Sequence, residues 1–246
     1  MKLDRIIAVR NNKTVYRDGD LCMKVFSSDF SKGDILNEAL NQARVEETAL
    51  MIPKIKEVTT IEGKWAIVYS YIKGKTLAQM IHDEPQKKSD YLALFVDLQL
   101  TVHAQRCPLL NNLNDKLRHR IEQADVTDVT RTALLQRLGT LPNHSKLCHG
   151  DFLPANIIID ETATPYILDW SHATQGSSAA DAAQTYLLLC LHDNRETAAE
   201  YLSLFCKKSE MEAKQIEAWM PLIAAAKSVK GNEKERLFYT SQIHIN

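Results

Sequence analysis

No stretch of this 246-residue chain strings together the roughly 20 apolar residues that cross a bilayer, so no membrane-spanning helix is expected. An excess of one charge is missing too. The 30 Lys and Arg stand against 31 Asp and Glu, which leaves no basic surplus for a phosphate backbone and argues against a nucleic-acid partner. Cysteine is sparse: Cys22, Cys107, Cys148, Cys190 and Cys206 are odd in number, scattered and never spaced C-x-x-C. That pattern excludes an obvious zinc cage or disulfide framework and points to free thiols in a reducing cytoplasm. The opening "MKLDRIIAVRNN" carries Asp4 and only a short apolar run, so it does not read as a secretory leader. Glycine is scarce, eight in all, and the first is Gly19. Repeats and low-complexity segments are absent.

What is present is ordinary globular composition, 45% hydrophobic and 25% charged, enough for one large domain or two lobes. "DRIIAV", "KTVYR" and "DLCMKVF" are short, β-branched or aromatic runs separated by turn residues, and read as strands. Ser31 and Asp34 offer a helix start; Ile35, Leu36, Ala39, Leu40 and Ala43 recur at helical spacing, and Pro53 is expected to end that helix. "KIKEVTTIEGKWAIVYSY" reads as a hairpin turning at Glu62-Gly63. From about residue 76 helical periodicity dominates, interrupted by two apolar strands, "NIIID" and "PYILDW", joined by "ETAT"; Pro221 should bend or interrupt a late helix. The composition break at 72 to 76 divides the chain into residues 1–72, a small β-rich lobe, and 73–246, a larger and mainly helical one. The two are expected to meet at a cleft.

The densest chemistry lies in "LCHGDFLPANIIID", residues 147 to 160. Asp and Asn are common in loops for local hydrogen-bonding reasons. Here, however, Asp151 and Asp169 flank a strand pair, and Asn156 opens its first strand. A hairpin would return both acids and the amide to one edge, a hard-oxygen set suited to Mg²⁺ that already carries phosphate oxygens. Phosphoryl transfer asks for that set plus a cation on the remaining phosphates. Lys24, between apolar neighbours on a strand, is a candidate. Its plain reading is an exposed lysine on a half-buried strand, but Glu38 on the following helix could pair with it and aim the ammonium. Cys148 reads as a small apolar filler.

These residues carry a resemblance. "HGDFLPAN" is similar to the H-G-D-x-x-x-x-N loop of the aminoglycoside phosphotransferase and choline kinase-like family. "ILDW" resembles its metal-binding motif, "VYSYIKGKTL" its hinge, and "SSAADAAQTYLLL" the stretch that buttresses the loop. The order is kept over residues 5 to 190. The resemblance implies an α+β, two-lobed protein-kinase-like fold and a kinase that uses Mg²⁺ with ATP or GTP on a hydroxyl of an amino sugar, amino alcohol or related metabolite. It implies that Asp151 orients and deprotonates the acceptor, that Asn156 and Asp169 bind the metal, and that Lys24 paired to Glu38 holds phosphates. Backbone groups of Ser70, Tyr71 and Ile72 would bind the purine. His149 and Asp181 would support the loop.

The family's usual glycine-bearing turn between the first two strands is replaced by "AVRNNKTVYR". Asn11-Asn12 keeps a tight turn possible, but close backbone cradling of phosphate no longer follows from the resemblance; Arg10 or Lys13 could supply charge, although solvated turn residues are the plainer reading. Residues from Asp193 onward balance eight acids against eight bases, which gives no support for a polycationic acceptor. Trp170 and Trp219 could stack on a sugar but fit a packed core better. Two competing readings stay open: a nucleotide-binding pseudokinase module, because of the missing glycine, and a protein kinase, disfavoured because no D-F-G glycine or A-P-E-like segment follows "LDW".

Overall fold

The elements of the computed structural model, which describes residues 5–10 and 12–244, follow the turn signals of the sequence closely. In chain order they begin with β1 (Arg5–Arg10), β2 (Lys13–Asp18), β3 (Leu21–Phe26), α1 (Lys32–Val45), β4 (Ile55–Ile61), β5 (Lys64–Ser70), β6 (Gly74–Thr76) and α2 (Leu77–Asp83). There follow α3 (Lys88–Ala104), α4 (Leu113–Glu122), α5 (Asp128–Thr140), β7 (Lys146–Cys148), β8 (Ile157–Asp160), β9 (Pro165–Ile167) and β10 (Thr174–Gly176). The chain closes with α6 (Ser178–His192), α7 (Arg195–Ser209), α8 (Ala213–Glu217), α9 (Met220–Ser228) and α10 (Glu233–Thr240). Asp4, the Arg10 side chain and Asn11, which the sequence placed at the first strand and its turn, lie outside the described residues. Among the described residues no helix is long and apolar enough to cross a membrane.

Two compact units share this chain. One comprises the chain up to Pro85 together with Pro154–His172; the other comprises Gln86–Leu153 together with the chain from Ala173. The 154–172 segment therefore packs with the N-terminal strands rather than with the helices that flank it in sequence.

In the first unit an antiparallel sheet runs in the order β1-β2-β3-β5-β4. Its β4–β5 hairpin turns at Glu62 and Gly63, both with positive φ, 50° and 77°. Such backbone matches strand twist. Cys22, Phe26, Ile67 and Tyr69 from one face pack against Ile35 and Ala39 of α1, while Met23, Val25, Ala66 and Val68 form a separate cluster from the alternate positions, as a period of two requires. A second sheet, β6-β8-β9, carries the "NIIID" and "PYILDW" strands. Asp160 Oδ1 shapes their turn by accepting from the backbone N–H groups of Thr162 and Thr164, each at 2.8 Å.

Helix α1 departs from its sequence pattern twice. It stops at Val45, well before Pro53, because the Thr48 N–H and hydroxyl both turn back onto the Val45 carbonyl at 2.9 and 2.7 Å. Its inward face is also rotated. Leu36 and Leu40 are 44% and 48% exposed, and the buried positions include Glu38, Asn41 and Gln42. Gln42 Nε2 donates to the Pro53 carbonyl at 2.6 Å and Asn41 Nδ2 to the Ser171 carbonyl at 3.3 Å. Polar contacts, not the leucines, set this helix's orientation.

The second unit is helical apart from the β7–β10 pair. Phe95 of α3 stacks on Phe152, ring centroids 4.8 Å apart, and meets Tyr201 of α7 edge-on at 5.7 Å. Asn112, Thr127, Asn194 and Asn232 cap four helices through side-chain oxygens. Each satisfies N–H groups that the first helical turn cannot. The Arg131 guanidinium caps the far end of α4, donating to the carbonyls of Ile121, Glu122, Ala124 and Val126. Pro221 falls in the first turn of α9, where its missing N–H costs nothing, and α8 ends ahead of it. Trp170 and Trp219 are fully buried, so neither is available to stack on a sugar. Replacing Phe95 by Ala removes the centre of the aromatic cluster; we expect a loss of about 3–5 kcal/mol of stability, read from the shift of the urea unfolding midpoint.

Candidate functional site

In the first unit strand register decides which side chains share a face. Lys24 pairs directly with Val15 across β2 and β3, and Lys13 lies two residues before Val15. Opposed residues, and residues two apart, project from the same face, so Lys13 and Lys24 emerge together on the side that α1 covers. Glu38, on the inner face of α1, binds the Lys24 ammonium directly. Asp169 reaches the same place from beyond β9, on a backbone with φ 59°, left-handed geometry that Asp tolerates better than most residues.

The result is a closed set of two cations and two anions. Asp169 Oδ1 stands 3.3 Å from Lys24 Nζ, and Oδ2 3.3 Å from Lys13 Nζ. Glu38 Oε2 lies 4.0 Å from Lys13. Burial works against the charged form of Lys24, but Asp169 and Glu38 outweigh it and hold the ammonium well above the ordinary lysine range. Burial likewise opposes the Asp169 carboxylate, which Lys24, Lys13 and the Ser171 hydroxyl nonetheless keep well below the usual carboxylate range. Lys13 is thus no solvated turn residue. Its side chain is 21% exposed and engaged.

Asn156 is buried at the end of a short 3-10 turn, Pro154–Asn156, and its carbonyl accepts from the Leu168 N–H at 2.8 Å. That bond ties the Asn156 backbone to the residue preceding Asp169. Asp169 Oδ1 is buried and, despite its ion pair, accepts no hydrogen bond. A carboxylate with an unused lone pair beside an amide residue fits a hard cation that takes its other oxygens from phosphate and water. Among the described residues no three His, Cys, Asp or Glu side chains converge as a protein-only metal cage. The hinge is partly committed: the Ser70 N–H donates to the Lys54 carbonyl and the Tyr71 N–H to the Asp20 carbonyl, both at 2.8 Å. Of the three hinge N–H groups only that of Ile72 is outside these two bonds. The Arg17 guanidinium covers the Tyr71 ring at 4.0 Å.

The second unit holds the loop with His149, Gly150 and Asp151. Gly150 has φ 77°, a conformation that favours glycine. This turns its N–H onto Asp181 Oδ1 at 2.8 Å and its carbonyl onto the Gln184 amide. Asp181, in the first turn of α6, also meets His103 Nε2 at 2.8 Å and Gln99 Nε2 at 3.2 Å through Oδ2. Tyr201 donates to Gln99 Oε1 at 2.6 Å. Burial would raise the Asp181 pKa, but the His103 hydrogen bond and charge and the Gly150 N–H lower it. His149 is fully buried, and its Nδ1 accepts from the Asp151 N–H at 3.1 Å. Asp151 itself is half-buried.

Gln99, His103 and Tyr201 have no sequence signal, because they lie on helices far from the loop in the chain; Gln184 lies within the "SSAADAAQTYLLL" stretch, which does not single it out. Lys227 and Tyr239 are further residues that pattern reading missed. Burial lowers the Lys227 pKa while Asp151 opposes the shift, and burial raises that of Tyr239, as does the Asp151 charge. Lys116 is pushed down to about 8 by burial and by the charges of Lys227 and Arg120.

Comparison with known proteins places this geometry in a class. Many solved structures share the fold, and three illustrate the match over nearly the whole chain. One, a thermostable mutant of aminoglycoside phosphotransferase APH(4)-Ia in ternary complex with ADP and hygromycin B, superposes with a TM-score of 0.71 at 14% identity, covering 97% of this chain and 90% of the other. Choline kinase LicA from Streptococcus pneumoniae gives 0.66 at 14% identity, covering 99% and 92%. The streptomycin–ATP complex of APH(2")-IIa gives 0.62 at 18% identity, covering 97% and 90%. The fold is the α+β protein-kinase-like one, a β-rich N-terminal lobe and a mainly helical C-terminal lobe. No curated protein matches the chain. The model of the phosphotransferase enzyme family, APH, matches residues 6–216. The chain belongs to that family and is a phosphotransferase.

The buried Asp181 carboxylate yields a pH prediction. Its folded pKa lies below the unfolded value of about 3.9, so its stabilising contribution is complete above pH 4 and fades as pH falls through the folded pKa. Asp181→Asn should cost about 1.5–3 kcal/mol at pH 7, and denaturation of both proteins from pH 7 to pH 3 should show the gap narrowing only at the acid end.

Proposed function

We propose that the chain transfers the γ-phosphate of ATP, held with Mg²⁺, to a hydroxyl of a small molecule such as an amino sugar, amino alcohol or related metabolite. The observation that carries this reading is the joining of Lys24, Glu38 and Asp169 into one buried ion cluster, with the Asn156 backbone tied beside it. Lys24 would hold phosphate oxygens, positioned by Glu38. Asp169 and Asn156 would hold Mg²⁺, which when bound would neutralise charge on the transferring phosphate. Hinge groups between Ser70 and Ile72 would bind the purine, with fewer free N–H donors than their number suggests. Asp151 would accept the acceptor's hydroxyl proton and orient its oxygen, on a loop held by His149 and Asp181. In this reading residues 1–72 serve the nucleotide and 73–246 catalysis and the acceptor, although the metal-holding pair belongs to the 154–172 segment that packs with the first unit.

Lys227 bears on Asp151, Arg120 bears on Lys227, and Lys227 and Arg120 both bear on Lys116. A cation whose charge bears on the proposed base counts against a strongly polycationic acceptor and favours one of low positive charge. The five free thiols support a reducing compartment, so we place the enzyme in the cytoplasm.

Transfer from γ-labelled ATP to a panel of amino sugars, choline-like alcohols and nucleosides tests the proposal. Binding without transfer or hydrolysis across that panel would favour the pseudokinase alternative. Asp151→Ala should lower transfer at least 10²-fold, the scale of a lost general base, with ATP affinity unchanged by calorimetry; an undiminished rate would remove Asp151 from the chemistry. Asp169→Asn should raise the Mg²⁺ concentration needed for half-maximal ATP binding about tenfold or more, the scale of a lost charged contact.

A further inference from the structure

Among the described residues, the ion cluster around Asp169 includes a cation, Lys13, to which the nucleotide reading gives no task. Lys13 sits where the family's glycine-bearing turn delivers its strand, and its backbone is fixed on both sides: Lys13 pairs with Phe26 across the ladder, and the preceding Asn12 carbonyl accepts from the Ser27 N–H at 3.0 Å. From that anchor its amine reaches Asp169 Oδ2 at 3.3 Å, with Glu38 Oε2 at 4.0 Å. A partly exposed pair of this kind adds at most about 1 kcal/mol to stability, and placing a second ammonium beside Lys24 works against it. Structure alone gives Lys13 little reason to be there. Chemistry gives one. A chain with no glycine before Gly19 lacks the residue that lets backbone N–H groups close on phosphate, and a triphosphate carries more negative charge than Lys24 can balance.

We propose that Lys13 is the second phosphate-holding cation of the nucleotide site, replacing the missing backbone donors by gripping the terminal phosphate. The inference rests on the kinase reading above. A lysine suits the task because its ammonium has three donors on a flexible stem; until phosphate arrives, Asp169 keeps the group within the cluster. Lys13 is also the more exposed of the two lysines, at 21% against 11%, which makes it the one able to leave its carboxylate for an incoming oxygen. No bond is made or broken in this exchange. One ion pair is replaced by another.

Calorimetric binding of ATP, ADP and adenosine to the wild-type chain, Lys13→Met and Lys13→Arg separates the possibilities. Lys13→Met should weaken ATP about 10-fold to 100-fold, the range of one charge-assisted hydrogen bond. ADP should weaken less and adenosine not at all, and Lys13→Arg should recover most of the ATP affinity. Equal ATP affinity in wild type and Lys13→Met, or equal losses for ATP and adenosine, overturns the assignment while leaving the kinase reading intact. A wild-type chain that binds neither ATP nor adenosine overturns both.

Discussion

A buried lysine can remain charged only where carboxylates stand close enough to replace its lost water. Lys24 meets that condition through Glu38 and Asp169, and the geometry of the first unit follows from it. Glu38 must face inward, so α1 is turned until Leu36 and Leu40 point outward. Asp169 must come off β9 in a left-handed conformation, so the β8–β9 pair is anchored by Asn156 and Leu168. Replacing such a cluster with well-packed apolar residues is often neutral or stabilising. Its retention beside a sheet and helix that already have a hydrophobic core points to chemistry, not stability, as its purpose.

The second unit contains the contrasting case. Asp181 is also a buried carboxylate, but His103, Gln99 and the Gly150 N–H answer both of its oxygens. Nothing is left over for a ligand. Asp169 keeps one oxygen outside any hydrogen bond. The difference between a fully answered anion and a partly answered one divides residues that hold a loop from residues that can receive something new. Asp181 acts through Gly150 on the backbone that presents Asp151, whereas Asp169 is itself presented.

Much of this was legible in the sequence, for reasons that differ by residue. The β4–β5 hairpin announced itself because Glu-Gly supplies the positive φ angles of a tight turn. Lys24 drew attention because Glu38 on the following helix could pair with it, and Asp169 because it closes a strand pair whose other end carries Asp151. The end of α1 was misjudged because a proline is a conspicuous breaker, while the local bond from the Thr48 hydroxyl to Val45 has no strong sequence mark. The rotation of α1 was hidden for a deeper reason. Its leucines recur at helical spacing, and only the tertiary partner of Glu38 reveals that they lose the inner face. Gln99 and Tyr201 were invisible altogether, since one is an ordinary helix residue until the other, on a distant helix, meets it.

Lys13 shows how an absence and a presence have to be read together. A glycine-bearing turn grips phosphate through short, directional N–H groups fixed in the backbone. A lysine grips through a point charge on a mobile stem, so it needs something to hold it ready. Asp169 supplies that hold, but the same carboxylate is the one a metal would use. Were a hard cation to displace the ammonium from this anion, phosphate would offer the displaced cation a new partner, because the two carry opposite charge. The strand that follows the turn without glycine is therefore coupled through Lys13 to the Asp169 carboxylate, a link that neither segment carries by itself.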